Sequence, residues 1–535
     1  MPRFHYYIIL FSLLFYFFCS GVTIRDRILV DTFHRIERQA LSPPESRQLF
    51  EGAMSGMFKT LDKYSYYTPA AGKKDYNNLL DNHYEGIGLV STPAKDKKSV
   101  EVIYPIVDSP AFRAGLRSGD RIVAVNGVDV TESQVTNFSS LIRELNNTDI
   151  AMTVLQFGKT DPIDIKVRPA PLDMDSVEGD GIDANGNRNF LLESDNEIGY
   201  IRITTFSRHT ADEFNDALRQ LYQQQARGLI IDLRGNPGGY VEVSIKIAIM
   251  LLDATDSSTI IVSTKNRDGL TKNHYGKEKS QICSLPIVVL IDGGTASASE
   301  ILAAALQDYK RAIIVGTRSF GKGVVQGIYD LPANSGTYQL TGVSYWRPSN
   351  RNINRTENAD ESDEWGVIPD IEHKLELSKL RSHAIDSIRN RRANAVGENR
   401  DAYLNSYIAA IEKDVEEIRS ELNKSSKNNK TNKAENLTPE NKTDEKPDKN
   451  IKVDNNKNST DEIENKVENK VEVETEIDAD EIDDSQDINV PFKLQGEPPY
   501  FDPQLDDAVK ILKELISGIS VSEILDELEA ADKKE

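Results

Sequence analysis

Ser297, within Thr295-Ala296-Ser297-Ala298-Ser299-Glu300, and Lys322, within Phe320-Gly321-Lys322-Gly323, are a hydroxyl and an amine 25 residues apart that could serve as nucleophile and general base. A serine hydroxyl attacks poorly until a neighbour takes its proton, and only a neutral lysine can take it. Lysine starts near pKa 10.4, so half-neutrality at pH 7 needs a shift of about 3 units, roughly 4–5 kcal/mol of desolvation or like-charge repulsion. Burial between apolar strands supplies such desolvation. Gln326, four residues beyond the lysine, can orient the amine without raising its pKa as a carboxylate would.

Pro286 to Ile291 has the length and β-branching of a buried strand, and Ile301 to Leu306 continues as an apolar helix. Ser297 therefore falls at a strand-to-helix junction, where unpaired backbone N–H groups and the positive end of the helix dipole would favour an oxyanion. A second strand, Gly228 to Leu233, runs into Arg234-Gly235-Asn236-Pro237-Gly238-Gly239. The amide of Gly238 or Gly239, with that of Ala298, would make a two-donor oxyanion hole. Each feature has a plainer reading. A serine before a helix is most often an N-cap, and Ser299 with Glu300 could fill that role. Gly293 and Gly294 tip the balance, because they clear space that a cap does not need. A Gly-Lys-Gly loop suggests phosphate binding, yet Gly323 stands where a P-loop needs Ser or Thr. None of the seven histidines (His5, His34, His83, His209, His274, His373, His383) lies in a segment resembling a catalytic loop, which disfavours a Ser-His-Asp site.

Taken together, Arg-Gly-Asn-Pro-Gly-Gly, Ala-Ser-Ala-Ser-Glu and Phe-Gly-Lys-Gly-x-x-x-Gln at this spacing resemble the carboxyl-terminal processing (tail-specific) peptidases, which are Ser-Lys proteases. The resemblance implies Ser297 as nucleophile, Lys322 as general base and Gln326 as the residue that positions the lysine. It places Gly238 or Gly239, with Ala298, at the oxyanion positions and Glu300 at a supporting acidic position. The family usually has serine where Thr295 stands, and its downstream tyrosine segment appears here as Tyr345-Trp346-Arg347-Pro348-Ser349-Asn350-Arg351, which bears on the substrate groove rather than the chemistry. Gly366-Val367-Ile368-Pro369-Asp370 is similar to a closing motif of the family, and Leu61-Asp62-Lys63-Tyr64-Ser65 to the segment that leads into its PDZ domain.

Ahead of the catalytic segment, Gly86-Ile87-Gly88-Leu89 followed by Ser109-Pro110-Ala111-Phe112-Arg113-Ala114-Gly115-Leu116 and Ser118-Gly119-Asp120-Arg121-Ile122 resembles a PDZ domain. Such a domain binds an extended peptide by strand addition and holds its terminal carboxylate on backbone N–H groups, here those of Gly86, Ile87, Gly88 and Leu89. A module that reads C-termini beside a Ser-Lys site implies cutting near tails, and its position implies gating of the dyad.

Arg3 precedes an apolar stretch from Tyr6 to Phe18, the length of a signal-peptide core, and Cys19-Ser20-Gly21 suits cleavage after Gly21. Export to the periplasm or cell envelope is expected, with an uncleaved anchor through residues 4–19 as the alternative. After cleavage Cys283 alone remains of the two cysteines, so no intrachain disulfide forms. Of the net charge of −22, about −18 lies beyond residue 400, which argues against nucleic acid as a partner.

The expected order is a signal peptide (1–21), N-terminal helices (22–82), a small β-rich PDZ domain (83–170), an α/β catalytic domain with a mixed sheet and helices (171–380), a charged helical segment (381–423), a disordered acidic, Asn/Lys-rich linker (424–488), and a C-terminal amphipathic helical region (489–535). The apolar face of Asp502 to Ile516 needs a partner, and the sequence leaves docking on the N-terminal helices or dimerisation open. The expected function is an exported serine endopeptidase acting near protein C-termini through an acyl-enzyme, with no metal or cofactor. Its partners would be proteins or peptides with apolar C-termini, an activating adaptor, and a second copy through the N- and C-terminal helices. A catalytically silent PDZ adaptor that tethers envelope proteins is the competing class. A trypsin-like PDZ protease is the poorer rival, lacking a G-[DN]-S-G-G motif.

Overall fold

A computed structural model describes residues 23–145, 148–183, 185–252, 258–276, 282–356, 358–360, 362–372, 379–411, 413 and 502–532. The expected signal peptide and the acidic linker lie outside them. No helix among the described residues is long and apolar enough to cross a membrane.

The chain forms two compact units. The first takes the N-terminal segment together with residues 324–343. Helices Ile24–Gln39 and Ser46–Phe58 lead to strand Tyr66–Thr68, which pairs antiparallel with Thr337 to Gln339. Phe50 packs edge-on to Tyr67, and Phe58 lies against Tyr338. The Leu61 to Ser65 motif is a turn closed by Asp62, whose carboxylate accepts from the Tyr64 N–H at 2.9 Å and the Ser65 hydroxyl at 2.8 Å.

The second unit holds the PDZ module and the catalytic domain. In the PDZ module, strand β1 (Leu89–Pro93) is the edge of an antiparallel sheet that continues through Val100–Pro105, Arg121–Val125, Ile150–Leu155 and Ile163–Val167. Alternating residues of these strands, among them Val100, Val102, Ile122, Ile150, Met152 and Val154, fill its core with Leu116 and Phe138. Strands His83–Gly86 and Ala170–Asp173 pair antiparallel, so the two ends of the module leave side by side.

The catalytic sheet is parallel through β2 (Asp195–Ile203), β3 (Gly228–Asp232), β4 (Ile287–Ile291) and β5 (Ala312–Gly316), with Val177–Glu178 and Leu191–Leu192 antiparallel on β2, so it is mixed as expected. Every residue of β3, β4 and β5 is buried, as apolar parallel strands covered on both faces must be. One face carries the crossover helices Thr210–Gln223, Val241–Leu251 and α1 (Ala298–Asp308). The segment after the last strand forms helix α2 (Lys379–Asn394). The residues beyond it reach the PDZ module: Ser118 and Val396 exchange hydrogen bonds, and Tyr403 lies edge-on to Phe157.

Helix α3 (Pro503–Ile516) covers the other face of the sheet. Its Ala508, Ile511, Leu512 and Leu515 pack on Tyr200, Ile230, Val288, Leu290, Ile313 and Val315. Leu512 sits against Gly228, where a Cβ would come within 2.8 Å of its side chain. The apolar stripe that the sequence left to the N-terminal helices or to a second copy is thus filled by the chain's own sheet. Each buried leucine or isoleucine there contributes about 1.5–3 kcal/mol.

Beneath α2 and α3, Asp232 at the end of β3 is fully buried and receives Arg234 Nη2 at 2.7 Å and the Tyr200 hydroxyl at 2.7 Å. Burial alone would raise its pKa, but Arg234 and Arg389 override it and hold the carboxyl well below the usual range. Because the folded pKa is depressed, the unfolded chain binds the proton more tightly below about pH 4, and stability falls with pH there. Asp232→Asn is expected to cost about 3–5 kcal/mol at neutral pH and to flatten the loss of stability between about pH 5 and 2, read from urea midpoints. Equal pH slopes in parent and variant would refute this.

Candidate active site

Ser297 occupies the first position of the turn into α1 with φ +58° and ψ −116°, a strained conformation for a residue with a Cβ. Helix α1 begins three residues before the apolar run that announced it, so the serine itself, not Ser299, stands at the helix end. Ser299 is fully buried and its hydroxyl donates to the Asn236 carbonyl at 3.0 Å, which makes it structural. The turn before Ser297 is tied down by Asp292, whose Oδ1 accepts from the N–H groups of Gly235, Gly294 and Thr295 at 2.8–3.0 Å. The Thr295 hydroxyl donates to the Leu233 carbonyl at 2.9 Å, which ties the turn to the end of β3.

Glu300, one turn into α1, gathers the site. Its Oε2 accepts from the backbone N–H of Ser297 at 2.8 Å and of Lys322 at 2.9 Å. Its Oε1 accepts from the Gly321 N–H at 2.7 Å and the Ser319 hydroxyl at 2.5 Å. One carboxylate oxygen thus holds the amides of the expected nucleophile and base together, which limits their nitrogens to a separation of about 6 Å. The side chain is fully buried, and burial pushes its pKa up against the four donors that pull it down.

The lysine loop is clamped from other sides too. The Phe320 N–H donates to the Thr295 carbonyl, the Arg355 N–H to the Gly321 carbonyl, and the Tyr345 hydroxyl to the Lys322 carbonyl. Gly321 has φ +82°, and a Cβ on it would lie 2.9 Å from both Arg355 and Trp365 side-chain atoms. The guanidinium groups of Arg318 and Arg355 each lie over the Trp365 ring, 4.4 Å from its centre.

The glycine loop after β3 lies directly against the serine. A Cβ on Gly238 would fall 2.8 Å from Ser297 Cβ and 3.0 Å from the Ala298 nitrogen. The two glycines differ in what their amides can do. The Gly238 N–H already donates to Asn236 Oδ1 at 2.9 Å. Gly239 forms a parallel bridge with Phe206 that uses the Gly238 carbonyl and the Tyr240 N–H, so its own N–H points away and meets no acceptor among the described residues. The Ala298 N–H, at the start of α1, likewise meets none. Gly239 has φ +140°, and a Cβ there would strike the Phe206 carbonyl oxygen at 2.3 Å. Asn236 holds the loop from beneath, donating to the Ile203 carbonyl at 2.8 Å and accepting from Gly238.

Gln326 belongs to the first unit, where its amide nitrogen donates to Thr341 Oγ1 at 3.1 Å and Thr341 in turn donates to Asp62 at 3.0 Å. In the PDZ module, Ile87 is buried in the core and Gly88 takes φ +71°. Their carbonyls are occupied, by the Ala111 N–H for Ile87 and by the Ile106 N–H and Ser109 hydroxyl for Gly88, whereas their N–H groups meet no acceptor among the described residues. Gly86 is the last residue of its strand, and Leu89 opens β1. Cys283 is buried and burial pushes its thiol pKa up, which fits a structural thiol. No cluster of His, Cys, Asp and Glu among the described residues could hold a metal. Sequence reasoning missed Asn236, Asp292 and Ser319, which look like ordinary loop residues until the fold turns them inward.

Residues 197–373 match peptidase family S41, and residues 101–156 match a PDZ domain. The chain is 32% identical over 346 residues to a carboxy-terminal-processing protease of Bartonella bacilliformis, covering 64% of this chain and 73% of that protein. It is 32% identical over 337 residues to a carboxyl-terminal-processing protease of Synechocystis, covering 62% and 73%, and 32% identical over 321 residues to the carboxy-terminal processing protease CtpB of Bacillus subtilis, covering 60% and 63%. At 32% identity over nearly three quarters of the Bartonella protease, with residues 197–373 matching the family's own pattern, the chain belongs to peptidase family S41, the carboxy-terminal-processing proteases.

Proposed function

We propose that the chain is an exported serine endopeptidase that cuts proteins near their C-termini with a Ser297-Lys322 dyad. The observation that carries this reading is the Glu300 carboxylate, which holds the amides of both residues on one oxygen. Neutral Lys322 takes the Ser297 proton as Oγ attacks the scissile carbonyl. The N–H groups of Gly239 and Ala298 receive the oxyanion. The lysine then returns its proton to the leaving amine, and water hydrolyses the acyl-enzyme by the same route. At the PDZ module the free N–H groups of Ile87 and Gly88 take the substrate's terminal carboxylate, and its last residues add as a strand along the open edge of β1.

The test uses residues 22–535 and an unfolded protein with an apolar C-terminus, beside the same protein with that end charged. Cleavage is expected with the apolar tail, slowed about tenfold or more with the charged one, and absent in Ser297→Ala. Equal rates on both tails would refute tail recognition, and an active Ser297→Ala would refute the nucleophile.

A further inference from the structure

Arg234 stands at the start of the loop that presents Gly238 and Gly239 to Ser297, and it is 3% exposed. All five of its guanidinium N–H donors are used. Nε donates to Asp232 at 3.0 Å, and Nη2 donates to Asp232 at 2.7 Å and to Asp502 at 2.9 Å. Nη1 donates to Asp502 at 2.8 Å and to Gln504 Oε1 at 3.1 Å. Three of the five bonds therefore end on the C-terminal segment, whose Asp502 also caps α3 by accepting from the Leu505 N–H. The fork is bidentate on Asp502, the geometry that fixes a guanidinium in both direction and rotation.

We infer that Asp502 is a positioning residue for the reaction: it reaches across 268 residues of chain to lock Arg234 and, through it, the loop that receives the oxyanion. Asp232 cannot do this alone. It lies only two residues from Arg234 and holds the guanidinium from one side, and it also answers Arg389 at 3.6 Å. Asp502 belongs to a different element, seated on the sheet by the apolar face of α3, and so supplies the fixed point from outside. Oxyanion stabilisation depends on where the donor stands to a fraction of an ångström, so a loop released at its root loses rate more than binding. The C-terminal helix is thereby part of the catalytic apparatus.

This inference rests on the oxyanion assignment proposed above, and the test separates the two. Asp502→Asn keeps a capping side chain but removes the charge, and Arg234→Met/Asp502→Asn removes one buried charge of each sign, so the second variant keeps the buried charge balance that folding needs. Rates are referred to the folded fraction, measured by near-ultraviolet circular dichroism on the full chain. The expected result in both variants is a kcat per folded molecule lowered about 30-fold or more with KM within about threefold. Affinity for a peptide aldehyde, which forms a tetrahedral adduct, should fall in step with kcat/KM. A double variant that turns over within about threefold of the parent per folded molecule would overturn the tether, as would a loss carried wholly by KM. Gly239→Ala serves as the control for the underlying assignment: if it stays active, the oxyanion reading fails, whereas an inactive Gly239→Ala beside a fully active double variant removes the tether alone.

Discussion

Lys322→Met is expected to lower kcat/KM by about 10⁴-fold or more while leaving the melting temperature within a few degrees of the parent. The substitution keeps an unbranched side chain of similar length and removes only the amine. The main-chain anchors of the loop do not involve that amine: the Lys322 N–H donates to Glu300, its carbonyl accepts from Tyr345, and Gly321 on the preceding position is held by Arg355. The loop should therefore stay in place without its base. Loss of a general base that acts as a unit with its nucleophile removes nearly all of the chemical advantage, so the rate should match that of Ser297→Ala instead of adding to it in a double variant. Peptide binding measured on the Ser297→Ala background should be unchanged by the second substitution. A Lys322→Met enzyme that retains a tenth of the parental rate would eliminate the dyad and leave the serine to some other base.

Removing the Glu300 carboxylate should be the second largest effect, and it should damage both fold and rate. Glu300→Ala leaves four buried donors without their acceptor: the N–H groups of Ser297, Gly321 and Lys322 and the hydroxyl of Ser319. An orphaned buried donor costs about 1–3 kcal/mol, and because the four share one cavity that can relax, a total of about 4 kcal/mol is expected, read as a shift of the urea midpoint. The rate per folded molecule should fall about 100-fold or more, since the carboxylate that holds the amides of both Ser297 and Lys322 is gone. Glu300→Gln offers an instructive intermediate. Its carbonyl can serve two of the donors, but its amide presents further N–H groups to the other two, so it should recover part of the stability and less of the rate. A Glu300→Ala enzyme with parental kcat per folded molecule would show that the carboxylate merely stabilises the turn.

The serine and lysine motifs, the glycine loop, the strand-helix alternation and the PDZ segment were all legible in the amino-acid sequence, because each is written in local terms. Runs such as Ile287–Ile291 and Gly228–Asp232 are apolar throughout because both faces of a parallel strand are covered. Gly238, Gly239 and Gly321 carry the positive φ values that their neighbours require. What local pattern could not assign was the choice among chemically equal groups. Gly238 and Gly239 are the same residue type, and only the Asn236 side chain and the Phe206 bridge decide that one amide is occupied and the other open. Glu300 read as a helix-capping acid, and its reach to Ser319, Gly321 and Lys322 depends on β5 returning the chain beside β4.

The longest-range assignment was decided by tertiary structure alone. Helical periodicity shows that Asp502 to Ile516 has an apolar face, but a periodic stripe states only that something must cover it. The answer is the far side of the catalytic sheet, which three crossover helices leave bare, and docking there carries Asp502 onto Arg234. Sequence by itself determined the parts of a protease and their order, since motifs and apolar patterns depend on a few neighbouring residues. The tertiary structure decided which amide is left open, which carboxylate gathers the serine and lysine amides and which end of the chain meets Arg234, because hydrogen bonds and buried charges are satisfied by nearness in space and take no account of distance along the chain.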